Sequence, residues 1–393
     1  MNDRKKRSFF ICGTPYHIYI AVSIVITEAL DADIYILDNY EDSKEYASKL
    51  KKMGIFSKVY FIEREFAYRK NHARIEKVKY RLNVNSLGKK LYMSGLILKR
   101  SLLKIVIFCQ YLCLDEKTNN TYLDYSRNYS SMYFAYGYVN REAFLHFKKF
   151  KNDFRFVHFE DGIGSYCSTI PYYQCEQFRN VPLVDFKYIL KLYNPKLYLD
   201  ARLKCAKPKR IEKIKVLERC EKNDMIISAL FAEEELCSIW QKSIILDTTY
   251  SESFVPNESR VYKKLLEAIE KAFAVDGVVY KYHPRENTAD LSKPHITAQN
   301  IPFEIFCYWN DFSDKIIVSI YSTGAFTPKL LFDQEPKVIF LYKLLRKYLI
   351  SAAIDEKLFI NFKNSYRDKS RVMIPETISE FKEMLKSCRG SNK

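Results

Sequence analysis

The chain has 393 residues, room for two or three domains at roughly 100–200 residues each, and 48% apolar with 28% charged residues is a globular balance that excludes wholesale disorder. Lys and Arg number 64 against 47 Asp and Glu, so the formal charge of +17 favours anionic partners without choosing among nucleic acid, a membrane surface and acidic small molecules. Ten Gly, far below the usual ~7%, exclude collagen-like and Gly-rich low-complexity chains.

At the amino terminus, Arg4-Lys5-Lys6-Arg7 precedes a mostly apolar run from Ser8 to Ile26, the outline of a signal peptide. Gly13-Thr14-Pro15-Tyr16-His17 interrupts that run, and a central Pro and His oppose a membrane span. The segment therefore reads as a buried strand (Phe9–Cys12), a tight loop (Gly13–Tyr16) and a helix from about His17 to Leu30. A strand over Asp33–Leu37, a helix over Tyr40–Met53 and a strand over Lys58–Ile62 follow. Short apolar strands alternating with helices predict βαβ units and a parallel sheet. The loop at Gly13–Tyr16 then sits at the carboxyl edge of that sheet, where open α/β sheets bind ligands.

Arg69–Lys104 holds eleven Lys or Arg and one acid, Glu76, and the apolar stretch Leu102–Leu114 follows. Lys99, Arg100 and Lys104 break any uncharged span, so a membrane-crossing helix is not expected. Two readings stay open for this insertion: a solvated basic helical face, or a peripheral contact with anionic lipid. The second basic block, Arg202–Lys222, fits either. Ten scattered Cys lack C-x-x-C or zinc spacing, Cys109 and Cys113 read as core thiols, and the pattern suits a reducing cytoplasm.

Strand patterns resume at Ser131–Ala135 and Phe154–Phe159. Arg210–Trp240 reads as helical and joins two halves, with the boundary near 238. The second half then gives strands at Ser243–Asp247, Gly277–Tyr282, Lys315–Ile320 and Lys337–Leu341. Helices are predicted over Ser259–Ala272, Pro302–Tyr308, Ser322–Phe332 and Glu376–Lys386. The expected architecture is α/β, residues 1–238 and 239–393, with the basic insertion at about 69–118 and a ligand cleft between the halves.

Three short patterns each follow a predicted strand. In Val157-His158-Phe159-Glu160-Asp161-Gly162-Ile163-Gly164-Ser165-Tyr166, adjacent carboxylates end a buried strand, a costly arrangement unless they are solvated or used. Desolvation and mutual repulsion would raise one pKa into the range a general base needs, although Asp-Gly is also an ordinary turn signal. In Tyr280-Lys281-Tyr282-His283-Pro284-Arg285, the Pro holds His283 extended beside Lys281 and Arg285. That cluster suits a phosphate leaving group, and a surface loop is the plain alternative. In Ser319-Ile320-Tyr321-Ser322-Thr323-Gly324, small hydroxyl residues open a helix, as phosphate sites and simple N-caps both do.

Taken in this order, an acid-acid-Gly motif, a Lys-x-His-Pro-Arg motif and a Ser-Thr pair resemble the bacterial sialyltransferases, in particular glycosyltransferase family 52 and its polysialyltransferase relatives. Gly13-Thr14-Pro15-Tyr16 looks like that group too. Residues 69–130 have no counterpart in it, and Ser322-Thr323 stands where many members have Ser-Ser. The resemblance implies a GT-B fold, two facing Rossmann-like domains, with no cofactor and no essential metal. It implies CMP-sialic acid as donor substrate and a hydroxyl of a surface glycan, free or lipid-linked, as acceptor. On the motif match Glu160 is the general base and Asp161 orients it or shares the role. His283 contacts and protonates the leaving phosphate, and Ser322 and Thr323 bind it. Glu304, in Ile301-Pro302-Phe303-Glu304, matches an acid that holds the nucleotide ribose, and also suits a helix start as a dipole partner. Gly13 and Thr14 would line the cleft from the other domain. Gly162, Lys281, Pro284 and Arg285 complete the binding set, and Glu252 is a lesser candidate. The alternative is the same scaffold with another nucleotide-activated sugar or a polyol-phosphate donor. A nucleic-acid binder is disfavoured, because no RRM, KH, helix-turn-helix or zinc pattern occurs. The expected place is the cytoplasm, with the inner membrane face left open by the basic insertion.

Overall fold

A computed structural model describes residues 7–38, 40, 42–62, 129–135, 155–162, 164–166, 188–198, 209–231, 241–247, 254, 259–283, 290–296, 301–349 and 356–390. The described chain is α/β and is built on two parallel sheets of seven and five strands.

The first sheet contains β1 (Arg7–Cys12), β2 (Ala32–Leu37), β3 (Lys58–Ile62), β4 (Tyr129–Ala135), β5 (Arg155–Phe159), β6 (Tyr188–Leu192) and β7 (Arg210–Lys213) in the order β3-β2-β1-β4-β5-β6-β7. Helix α1 (Pro15–Glu28) links β1 to β2, and α2 (Ser43–Met53) links β2 to β3. The chain moves outward from β1 on one side and returns to its other side at β4. The topological switch therefore lies between β1 and β4, directly beneath Gly13 and Thr14. Every residue of β2 is buried and β1 is buried from Ser8 onward. Such wholly buried, mostly apolar strands belong to a parallel sheet covered on both faces.

The second sheet contains β8 (Ser243–Leu246), β9 (Val278–Lys281), β10 (Ile316–Ser319), β11 (Lys337–Phe340) and β12 (Val372–Met373) in the order β12-β11-β10-β8-β9. Its switch point lies between β8 and β10. The register aligns Lys281, Leu246, Ser319 and Phe340 as one row at the carboxyl edge. His283 and Ser322 lie just past that row.

Helix α3 (Glu221–Phe231) belongs with the first sheet: Phe231 packs on Tyr46 with ring centres 5.5 Å apart, and Lys49 donates to the Leu230 carbonyl at 3.1 Å. Around the second sheet lie α4 (Ser259–Ala272), α5 (Phe303–Trp309), α6 (Thr327–Phe332), α7 (Tyr342–Leu345), α8 (Glu356–Ser365) and α9 (Ile378–Gly390).

Several expected elements differ: α2 begins at Ser43 rather than Tyr40, and the helix expected over Ser322–Phe332 is a 3-10 turn at Thr323–Phe326 followed by α6. Arg210–Lys213 is an edge strand, not the start of a helix. Its Arg-Ile-Glu-Lys sequence has good helix propensity, but pairing with β6 sets Glu212 opposite Lys191, whose ammonium it meets at 3.3 Å while Glu28 holds the same ammonium. Tertiary context overrides a weak local preference. Helix α1 begins at Pro15, two residues earlier than expected. Thr14 is the N-cap, its hydroxyl accepts the His17 amide at 3.2 Å, and Pro15 at the first helical position has no amide to lose. The basic insertion, Cys109, Cys113 and the expected domain boundary near 238 lie outside the described residues. No described helix is long and apolar enough to cross a membrane.

Candidate functional site

The site grows from the ends of β1 and β5. Parallel register places Gly13 and Glu160 just beyond the carboxyl edge of one sheet, with β4 between their strands. The first turn of α1 then reaches across to the acid pair residue by residue. The Tyr16 hydroxyl donates to Glu160 Oε1 at 3.0 Å, and His17 Nε2 lies 2.8 Å from Asp161 Oδ1.

Glu160 is buried, and its second oxygen accepts from the Tyr166 hydroxyl and from the Tyr193 amide at 3.0 Å. Loss of water is the largest influence on this carboxyl and lifts it to about 7; the Tyr166, Tyr193 and Tyr16 donors pull the other way. The like charge adding to the rise is Glu304, not the adjacent Asp161 on which the expected mutual repulsion rested. Burial and the Glu160 charge raise the Tyr16 and Tyr166 phenols well above 10, so both stay O–H donors at neutral pH.

Asp161 is the more open acid, its side chain 29% exposed. Its amide donates to the Ser165 hydroxyl at 2.7 Å, which closes the turn. Gly162 adopts φ +66°, where a side chain would be strained, and so supplies the sharp turn expected of it. A Cβ placed on Gly162 would lie 3.4 Å from the Thr323 methyl. This contact brings the acid turn of the first sheet against the Ser-Thr turn of the second.

On the second sheet, Ser322 caps a short helical stretch: its hydroxyl accepts the Gly324 amide at 3.3 Å while its own amide donates to Ser319 Oγ at 2.9 Å. The N-cap is thus realised in Ser322, and Thr323 is left exposed beside Gly162. Gly324 is required by space, since a Cβ there would meet Leu246 Cδ1 at 3.1 Å and Phe303 Cδ1 at 3.3 Å. Glu304, in the first turn of α5, is buried and accepts from Thr327 Oγ1 at 3.2 Å; burial raises its carboxyl, with Lys281 opposing. Lys281 is buried as well, its ammonium 5.9 Å from the Phe306 ring centre, and burial drops it to about 7 against the pull of Glu304. Lys281 thus ends β9 at the sheet edge, with its side chain turned into the interior. His283 is half-buried, two residues past Lys281. Pro284, Arg285 and Glu252 lie outside the described residues.

Of the expected residues, the structure therefore brings Gly13, Thr14, Glu160, Asp161, Gly162 and Thr323 together, with Ser322 adjoining, and the charge of Glu304 reaches both Glu160 and Tyr16. His283 is placed on the same sheet edge as the Ser-Thr turn. Thr14 caps α1, and the Gly13 amide donates to His17 Nδ1 at 3.2 Å. Sequence reasoning missed Tyr16, His17, Ser165, Tyr166 and Tyr193 as partners of the acid pair. The first four lie inside motifs it singled out. Tyr193 follows β6, a strand with no clear pattern.

No protein-family model matches the chain, and no curated protein matches it. Among the described residues, no group of three or more His, Cys, Asp or Glu is placed to hold a metal ion.

Proposed function

We propose that the chain is an inverting glycosyltransferase of GT-B type that moves sialic acid from CMP-sialic acid to a hydroxyl of a surface glycan. The observation that carries this reading is the contact of Gly162 with Thr323, which joins an acid turn and a hydroxyl-bearing turn some 160 residues apart in sequence. An attacking alcohol needs a proton acceptor, and a departing phosphate needs donors on the opposite side of the reacting carbon. The two sheet edges supply those groups separately.

In this reading Glu160 takes the acceptor proton as the alcohol oxygen bonds to the anomeric carbon. The bond from that carbon to the CMP phosphate breaks, and the electron pair leaves with the phosphate. Ser322, Thr323 and Lys281 bind the phosphate and His283 protonates it. Glu304 holds the ribose. A carboxyl lifted to about 7 supports the base assignment, because a base works best with its pKa near the working pH. Tyr16 covers Glu160 Oε1 here, so the acceptor hydroxyl takes the place of the Tyr16 hydroxyl or passes its proton through it. The inner membrane face fits this activity if the glycan is lipid-linked.

The test is CMP release from CMP-N-acetylneuraminic acid, with lactose and a sialyl-lactoside as acceptors, in buffer containing EDTA. Wild-type turnover is expected. Glu160→Gln should lose at least ~100-fold in kcat with donor binding retained, and His283→Ala should lose both chemistry and donor affinity. Turnover only with another nucleotide sugar or a polyol-phosphate donor would replace the donor and keep the scaffold. A wild-type rate that needs added Mg²⁺, or a fully active His283→Ala enzyme, would remove the mechanism.

A further inference from the structure

We infer that His17 is a positioning residue that fixes Asp161 as the docking point for a hydroxyl of the acceptor sugar beside the one that reacts. This rests on the glycosyl-transfer reading above. The Gly13 backbone amide can only donate, and it points at His17 Nδ1 at 3.2 Å. Nδ1 must therefore be the accepting nitrogen, which leaves the ring hydrogen on Nε2. Nε2 lies 2.8 Å from Asp161 Oδ1, so the imidazole donates to the carboxylate.

Nothing in this relay is loosely held. The His17 side chain is fully buried and its ring packs edge-on to Phe159 at 5.8 Å. Its amide is fixed by the Thr14 cap. Asp161 is fixed from the other end by the hydrogen bond its backbone N–H donates to the Ser165 hydroxyl. Oδ1 is thus occupied, and Oδ2 takes no hydrogen bond among the described residues although the side chain is 29% exposed. A carboxylate with one oxygen locked and the other open, next to the buried Glu160, is suited to accept a hydrogen bond from a second hydroxyl of the acceptor sugar and so hold the reacting oxygen, whose own proton goes to Glu160, in line. The Gly-Thr-Pro-Tyr-His sequence thus carries two tasks in consecutive residues: Tyr16 on the buried acid, His17 on the open one.

Two measurements test this. Histidine-selective nitrogen NMR of the full wild-type chain should show His17 with its hydrogen on Nε2, and the signal should shift in Asp161→Asn. A hydrogen on Nδ1, or no response to Asp161→Asn, overturns the relay whether or not the enzyme uses CMP-sialic acid. In the CMP-release assay, His17→Ala should raise the KM for the sugar acceptor ~10-fold or more and leave the donor KM within ~2-fold. His17→Gln, which keeps a side-chain N–H donor near the Nε2 position, should recover most of that loss, and His17→Ala should add little in an Asp161→Asn background. Equal defects in His17→Gln and His17→Ala at matched thermal stability, or a donor KM that rises with the acceptor KM, would reduce His17 to a packing residue. A wild type silent on CMP-N-acetylneuraminic acid would sink the donor reading, while the NMR result would still decide the relay.

Discussion

Glu160 carries a cost that pH should expose. Its folded carboxyl stands at about 7 against an ordinary 4.5. Between those values the folded state holds a proton that the unfolded state has released. Stability therefore falls as pH rises from about 4.5 to about 7, by about 3 kcal/mol if this group acts alone. Lys281 gives the opposite slope at higher pH: its folded ammonium titrates near 7 and its unfolded one near 10.5, so its share of stability rises across that window. Denaturant melts of Glu160→Gln should lose the falling limb below pH 7 and keep the rising limb above it. An unchanged profile would mean that Glu160 meets water in solution. On the reading proposed above, kcat/KM should climb through the same window, since a base must be deprotonated to act.

Among the elements, the turn between β10 and α6 is tightly constrained. Gly324 sits where any Cβ presses on Leu246 of β8 and on Phe303 at the start of α5, the helix that carries Glu304. Gly324→Ala should cost about 1–3 kcal/mol by overpacking and should displace α5. Gly162→Ala should cost only about 1 kcal/mol, through its positive φ, because its Cβ would make an ordinary contact with Thr323. Thermal melts of the two variants should rank them in that order. The reverse ranking would show that the turn yields more readily than the acid loop. Both glycines are legible in the sequence as turn residues, but only one is required by its dihedral. The other is required by neighbours that come from a strand, β8, and a helix, α5, elsewhere in the chain.

At the scale of the molecule, the two sheets are joined by a second contact far in sequence from the acid turn. Arg219, just before α3, grips Asp224 at 3.0 and 3.1 Å and lies over Trp309 at 4.3 Å and Tyr308 at 5.3 Å, both on α5. The Tyr308 hydroxyl closes the group on Asp224 at 2.6 Å. Because α3 packs on α2, which links β2 to β3, and α5 bears Glu304, this stack ties the placement of Glu304 to the first half of the chain. Arg219 is partly exposed, so its cation–π contacts are worth about 0.5–1 kcal/mol each. Arg219→Ala should alter Trp309 fluorescence and speed proteolysis between the sheets. If emission and cleavage stay as in the wild type, the sheets are held together elsewhere.

The sequence by itself determined the two parallel sheets, because apolar strand runs and helical periods alternate along both halves and leave few other ways to bury those faces. It also located Glu160, Asp161, Gly162, Ser322 and Thr323 as strand-end residues, since each closes an apolar run with polar or turn chemistry. Only the tertiary structure decided which of them meet, which acid is buried and which is open. It alone turned Arg210–Lys213 into a strand and tied Tyr16 and His17 to the acid pair. Local pattern reports the state of a segment. The environment of a charge depends on groups brought from elsewhere in the chain, and 144 residues separate Tyr16 from Glu160 and His17 from Asp161.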